Sequence, residues 1–128
     1  MVARRGQLMD EACAETEGAM AAMVGGDEAS VRELAEASGV DVANLNAPGQ
    51  IVLSGTTEGI DKAVAGAKER KIKLAKKLKV AGAYHSRLMA GAEAKLAPVL
   101  AAAEVNSPRF PVISNKSCLL YTSDAADE

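Results

Sequence analysis

An α/β chain of the α+β kind, with the order strand-helix-strand-strand-helix-strand between Gly18 and Val80, is predicted from three features of the sequence. Short apolar runs bounded by glycine or proline alternate with longer windows in which apolar residues recur every three or four positions. Capping-type residues, Asp27 and then Thr56 or Thr57, stand just before two of those windows. Hydrophobic residues make up 48% of the chain and aromatic residues only 2%, so the core must be aliphatic, mostly Ala, Val, Leu and Met.

The elements follow in order. Arg4 to Cys13 carries Leu8, Met9, Ala12 and Cys13 on one helix face, and Gly18 is expected to close that helix. No N-cap precedes it, so it reads as the back half of a longer helix and Met1 as an internal codon. Ala19 to Val24 suits a buried strand ended by Gly25 and Gly26. After Asp27, Val31, Leu34 and Ala35 mark the inner face of a helix that Gly39 terminates. Val40 to Leu45 alternates, Ala47-Pro48-Gly49 is a turn, and Gln50 to Ser54 returns as the second arm of a hairpin ending at Gly55. Ile60, Ala63, Val64 and Ala67 then share a helix face. A last strand has Leu74, Leu78 and Val80 on one side and Lys73, Lys77 and Lys79 on the other.

This order is the split βαβ arrangement of ferredoxin-like domains, whose two helices cover one face of a four-stranded sheet. A further helix is expected from about Ser86 to Ala103, with Met89, Ala92, Leu96, Val99 and Leu100 inward and a kink at Pro98. Phe110 to Ser114 reads as a short strand with no partner in the chain. A helix before the repeat and a strand after it have no place in the ferredoxin-like unit, which marks the chain as a piece of something larger.

Composition narrows the function. With 128 residues, one core is the ceiling. No apolar run spans a bilayer and no signal-peptide core is present, which makes a cytoplasmic location the expectation and a membrane partner an unexpected one. Cys13 and Cys118 lack metal-type spacing and have one histidine to join them, so neither a disulfide nor zinc is expected. The net charge is −2, and removing Asp124, Asp127 and Glu128 from the 17 acids leaves 14 against 15 bases, or +1. A sheet that bound RNA would stack bases on aromatic residues, which the central strands lack, so no nucleic acid is expected. From Cys118 onward the chain reads like the translation of a transposase adapter used in preparing sequencing libraries. Residues 118–128 are therefore set apart from the fold, and the native chain is expected to continue past Lys116 or Ser117.

Several stretches resemble one family. Arg5-Gly6-Gln7-Leu8-Met9, Gly18-Ala19-Met20-Ala21-Ala22 and Asn44-Leu45-Asn46-Ala47-Pro48-Gly49-Gln50-Ile51-Val52-Leu53-Ser54-Gly55 resemble the RG-x-x-M, GAMAA and N-x-N-[SA]-PGQ-x-V-x-[SA]-G blocks of bacterial malonyl-CoA:acyl-carrier-protein transacylases. Val80 to Met89 is similar to their V-S-x-[PA]-[FY]-H-S-x-L-M loop, and Pro111 to Asn115 to their PV-x-[SN]-N strand. The blocks stand in family order and spacing. The resemblance implies an α/β-hydrolase-like large subdomain, represented here by segments 1–17 and 81–117, with a ferredoxin-like small subdomain, 18–80, inserted in it. The family's GHSLG nucleophile elbow has no counterpart in this sequence.

The resemblance also implies roles. His85 aligns with the catalytic base, which takes the serine proton and returns it to the departing thiolate. Arg5 aligns with the arginine that grips the free carboxylate of malonate, a task its planar fork suits. Met9, Asn44, Asn46, Gln50 and Tyr84 align with positions lining or flanking the acyl site. Read without the resemblance, Met9 is also an inward core residue, and Asn44 and Asn46 also serve a turn. Ala81 and Gly82 stand where the family commonly has Ser-x, which leaves the hydrogen bonding of the loop open. Malonyl-CoA enters as substrate, and no cofactor or metal is implied.

The run Lys68 to Lys79 holds seven positive charges and one acid, Glu69. It reads either as a solvated surface or as a dock for the acidic acyl carrier protein. The alternatives are the acyltransferase domain of a polyketide synthase, with the same chemistry, and a non-catalytic ferredoxin-like binding module, which leaves the Arg5-Gly6 pair and the Tyr84-His85-Ser86 loop without a reason.

Overall fold

The computed structural model describes residues 1–106, 108–113 and 120–121. Ser114 and Asn115 of the last motif, and the 118–128 segment apart from Leu120 and Tyr121, lie outside them. The elements are α1 (Val2–Glu15), β1 (Gly18–Val24), α2 (Glu28–Ser38), β2 (Asp41–Ala47), β3 (Gln50–Thr56), α3 (Thr57–Gly66), β4 (Leu74–Lys77), α4 (Ala90–Ala101), β5 (Val112–Ile113) and β6 (Leu120–Tyr121).

The local signals act as their chemistry dictates. Asp27 caps α2 by accepting the Ser30 N–H at 2.7 Å, and Gly39 ends it in the left-handed region at φ +69. Thr56 caps α3 through the Gly59 N–H at 3.1 Å. Pro48-Gly49 joins β2 to β3, and the sheet runs in the order β2-β3-β1-β4. Every neighbouring pair is antiparallel, with Ala21 opposite both Leu53 and Lys77.

Odd-numbered residues of β1 face α2 and α3. Ala19, Ala21 and Met23 pack there with Val31, Leu34, Val40, Ile51, Leu53, Ile60, Ala63 and Ile72. Small alanines on β1 let both helices lie close to the sheet, while Leu53 and Ile60, each 0% exposed, fill the space between. Burying side chains of that size stabilises by roughly 1.5–3 kcal/mol each. On β4 it is Ala75 and Lys77 that share the helix side, and Lys77 reaches Asp61 of α3 at 2.7 Å. Leu74 points the other way and is 54% exposed, because Ile72, ahead of the strand, already fills the core at that edge.

A second, smaller apolar cluster joins α1 to α4 through Leu8, Ala12 and Ala92, with Met89 and Leu96 half-buried beside them. Lys95 ties the same helices together by pairing with Glu11 at 3.3 Å and Glu15 at 3.4 Å.

Three expectations need correction. Gly18 does not end the first helix: Thr16 does, in extended conformation, and Gly18 opens β1 for a packing reason given below. Leu100 is not inward but 47% exposed, since the contact with α1 ends at Leu96 and α1 offers nothing further along. Val112–Ile113 does have a partner, the antiparallel Leu120–Tyr121 pair. A strand edge is satisfied by the backbone N–H and C=O groups of any extended neighbour, and two residues of the segment set apart as an adapter translation supply them.

Candidate active site

The second face of the sheet, opposite α2 and α3, is where the chain turns toward chemistry. After β4 the Leu78 N–H bonds to the Met20 carbonyl at 2.8 Å, which holds the chain against β1 as it enters the 80–86 loop. Gly82 and Ala83 are buried in that loop. A β-carbon on Gly82 would run into the Cys13 thiol of α1, and one on Gly18 would lie 2.6 Å from the Ala83 β-carbon. Both glycines are there for close approach. The Ser86 hydroxyl donates to the Ala83 carbonyl at 2.6 Å and accepts from the Leu88 N–H at 3.2 Å, which closes the turn.

His85 stands exposed at the tip of this turn with φ +57. The left-handed conformation costs an L-residue roughly 1–2 kcal/mol, so the loop must be held by its neighbours. Beyond the tip, Asp41 at the start of β2 accepts the Arg87 backbone N–H at 2.9 Å and the Arg87 guanidinium through both carboxylate oxygens. The hydrogen bond from the Arg87 side chain holds the Asp41 carboxyl below the ordinary carboxylate value, and the opposing effect of partial burial does not cancel it. Tyr84, half-buried, meets the Cys13 thiol, and that contact with burial pushes its hydroxyl above the usual phenol value.

These segments enclose a cavity of about 560 Å3. Helix α1 contributes Arg5, Leu8 and Met9. The sheet contributes Met20 and Asn44, and the loop Tyr84 and His85. Met89, Ala92, Glu93 and Leu96 close the side toward α4. The walls are thus largely aliphatic, with one guanidinium, one imidazole, one carboxamide and one carboxylate at the rim. Arg5 makes no ion pair among the described residues, which leaves its fork open to an anionic ligand.

Of the residues singled out in the sequence, Arg5, Met9, Asn44, Tyr84 and His85 come together on this cavity. Asn46 and Gln50 do not. Asn46 borders a separate depression with Asp27 and Pro48 around the β2–β3 turn, and Gln50 is exposed at the first position of β3. Sequence reasoning missed Met20, which reads as ordinary strand core, and Glu93 and Asp41, which read as ordinary charged residues of a helix and a strand. No serine or cysteine among the described residues lines the cavity. Among the described residues no group of three or more metal-type side chains gathers, and no helix is long and apolar enough to cross a membrane.

An imidazole and an unpaired guanidinium on an aliphatic cavity suit an acyl group that ends in a carboxylate. A family model described as acyl transferase domain matches residues 1–127. The chain belongs to the acyl transferase domain family. The malonyl CoA-acyl carrier protein transacylase of Bacillus subtilis (strain 168) is 43% identical over 129 residues, covering 97% of this chain and 41% of that protein. Among solved structures, the malonyl CoA-acyl carrier protein transacylase of Coxiella burnetii superposes with a TM-score of 0.84 at 37% identity, covering 94% of this chain and 39% of that one. A malonyl-transacylase in complex with its type II PKS acyl-carrier protein superposes with a TM-score of 0.82 at 37% identity, over 93% of this chain and 40% of that one. This acyl transferase chain therefore spans about two fifths of the length of the relatives it matches.

Proposed function

We propose that the protein carrying this chain is a malonyl-CoA:acyl-carrier-protein transacylase of fatty-acid synthesis, working in the cytoplasm. The observation that carries the reading is the shared cavity of Arg5 and His85, in a chain whose relatives bear that name.

In this reading a serine hydroxyl from a segment outside this chain attacks the thioester carbonyl of malonyl-CoA. His85 accepts the serine proton, the carbon–sulfur bond breaks, and the proton passes to the departing thiolate. In the second half the phosphopantetheine thiol of acyl carrier protein gives up its proton to His85 and attacks the serine ester, the acyl carbon–oxygen bond breaks, and His85 returns that proton to the serine oxygen. Arg5 holds the malonyl carboxylate by two parallel hydrogen bonds throughout, fixing direction as well as charge. Met9 lines the acyl side, Tyr84 narrows it, and Asn44 offers a carboxamide at the rim. Asn46 and Gln50 belong to the flank nearer the β2–β3 turn.

The same reading assigns 18–80 to a ferredoxin-like small subdomain, supported by the strand order β2-β3-β1-β4. It assigns 1–17 and 81–117 to an α/β-hydrolase-like large subdomain, supported by the separate α1–α4 cluster. Within the basic run, Arg70 is paired with Glu33 and Lys77 with Asp61. Lys68, Lys71, Lys73, Lys76 and Lys79 stay exposed, and they are the group that would steer an acidic carrier protein.

A polyketide setting is the second reading, favoured by the structural likeness to a transacylase bound to a type II PKS acyl-carrier protein. The two settings share chemistry and differ in the carrier protein. The test is transfer by the purified full-length protein, with malonyl-CoA as donor and holo acyl carrier proteins of fatty-acid and polyketide type as acceptors. Faster loading of the fatty-acid carrier supports the first setting and faster loading of the polyketide carrier the second. Failure to load either overturns the proposal.

A further inference from the structure

The 80–89 loop carries His85 in a left-handed conformation, eight residues after β4 ends at Lys77 and just before a single 3-10 turn over Arg87–Met89. Beyond the tip the Ser86 hydroxyl and carbonyl take the Leu88 and Met89 N–H groups, and one side chain from another part of the fold joins them. Asp41 accepts the backbone N–H of Arg87 at 2.9 Å, two residues after His85, and also takes the Arg87 guanidinium in a two-oxygen grip. Before the tip, the Ser86 hydroxyl ties back to Ala83, which is wedged against Gly18. The imidazole is therefore suspended between a packed anchor and a polar one. The packed anchor fixes where the loop begins. Among the described residues, the polar anchor is the one side-chain hydrogen bond that ties the outgoing arm to the sheet.

We infer that Asp41 is a positioning residue for His85, setting the direction of its imidazole through the bond to the Arg87 N–H. The Arg87 guanidinium serves chiefly to keep that carboxylate in place. The inference rests on the reading of His85 as base wherever turnover is the measure, but its geometric content stands apart from it. A charged oxygen accepting a backbone N–H makes a short, directional bond, and the strand that carries Asp41 is paired on to β3 through Ser54, which ties the anchor into the sheet.

Three variants separate the parts. Asp41→Ala removes both interactions. Asp41→Asn keeps an oxygen for the Arg87 N–H and loses the ionic grip. Arg87→Ala keeps the backbone bond and loses the guanidinium. In the full-length protein, with active protein titrated and each variant assayed well below its melting temperature, Asp41→Ala is expected to lower kcat for malonyl transfer by roughly tenfold to a hundredfold. KM for malonyl-CoA should stay within about twofold, since uniform substrate binding is untouched. Asp41→Asn and Arg87→Ala should each retain most of kcat. Equal loss in all three, or a loss confined to KM, overturns the positioning role.

A readout free of catalysis is the ring-proton shift of His85, followed by NMR in the full-length protein and assigned as the signal missing from His85→Ala. Asp41→Ala should move that signal and broaden it while Asp41→Asn leaves it near its native position. An unchanged signal in Asp41→Ala overturns the inference. If instead His85→Ala leaves transfer intact, the base assignment falls, and the NMR comparison alone decides whether Asp41 orients the ring.

Discussion

A β-carbon on Gly18 would lie 2.6 Å from the Ala83 β-carbon and 2.7 Å from the Ala83 nitrogen, so the first residue of β1 and the loop before His85 meet with no room for a methyl group. Gly18→Ala should therefore destabilise the fold by about 1–3 kcal/mol, the usual cost of overpacking, and displace the loop. Gly91→Ala is the control, because nothing lies within 4 Å of the added atom, and a helical Gly to Ala change there gains up to roughly 1 kcal/mol. Urea denaturation of the two variants checks both signs.

The core under the helices gives a second contrast. Leu53 is 0% exposed and central in the larger cluster, so Leu53→Ala is expected to cost about 2–5 kcal/mol. Leu74, at 54% exposure on the opposite face of an edge strand, should change by less than about 0.5 kcal/mol. Equal losses in thermal or chemical denaturation would mean that Leu74 is covered at the edge strand and not exposed.

Much of this was legible beforehand. Asp27, Gly39 and Pro48-Gly49 announce their positions through local hydrogen bonding and backbone preference, and the alternation in β1 shows which residues can be inward. Packing partners distant in sequence left no such trace. Gly18 looks like a helix stop until Ala83 is seen against it. Leu100 continues the apolar spacing of α4 past the point where α1 can cover it. At the site, motif order singled out Arg5 and His85. Asp41 and Glu93 went unnoticed because a charged residue at a strand start or in a first helical turn is ordinary until its neighbours are known.

The Asp41 carboxyl supplies a pH dependence with a definite sign. The Arg87 hydrogen bond lowers its folded pKa below the ordinary 3.8, so its contribution is fully present above that value and is lost as pH falls through the folded one. The stability gap between the native protein and Asp41→Asn should stay constant across neutral pH and shrink below about pH 4. Denaturation midpoints taken from pH 7 downward measure this. A gap that widened in acid would contradict the assigned direction.

Arg5 makes the substrate prediction. Arg5→Lys keeps the charge and loses the fork, which should cost about 1.5–3 kcal/mol of malonyl recognition, seen as roughly a tenfold to hundredfold fall in kcat/KM for malonyl-CoA. Acetyl-CoA, with no carboxylate to hold, should be turned over no worse than before. Parallel losses on both donors would place Arg5 outside the acyl site.

The most direct test of the account is the intact mass of the full-length protein after brief exposure to malonyl-CoA, for the native protein and for His85→Ala. The account predicts that the native protein gains one malonyl group within the first moments and that the variant loads slower by about a hundredfold or more, the contribution of a positioned general base. Loading of His85→Ala at the native rate would show that the imidazole at the tip of the 80–86 loop is not the base.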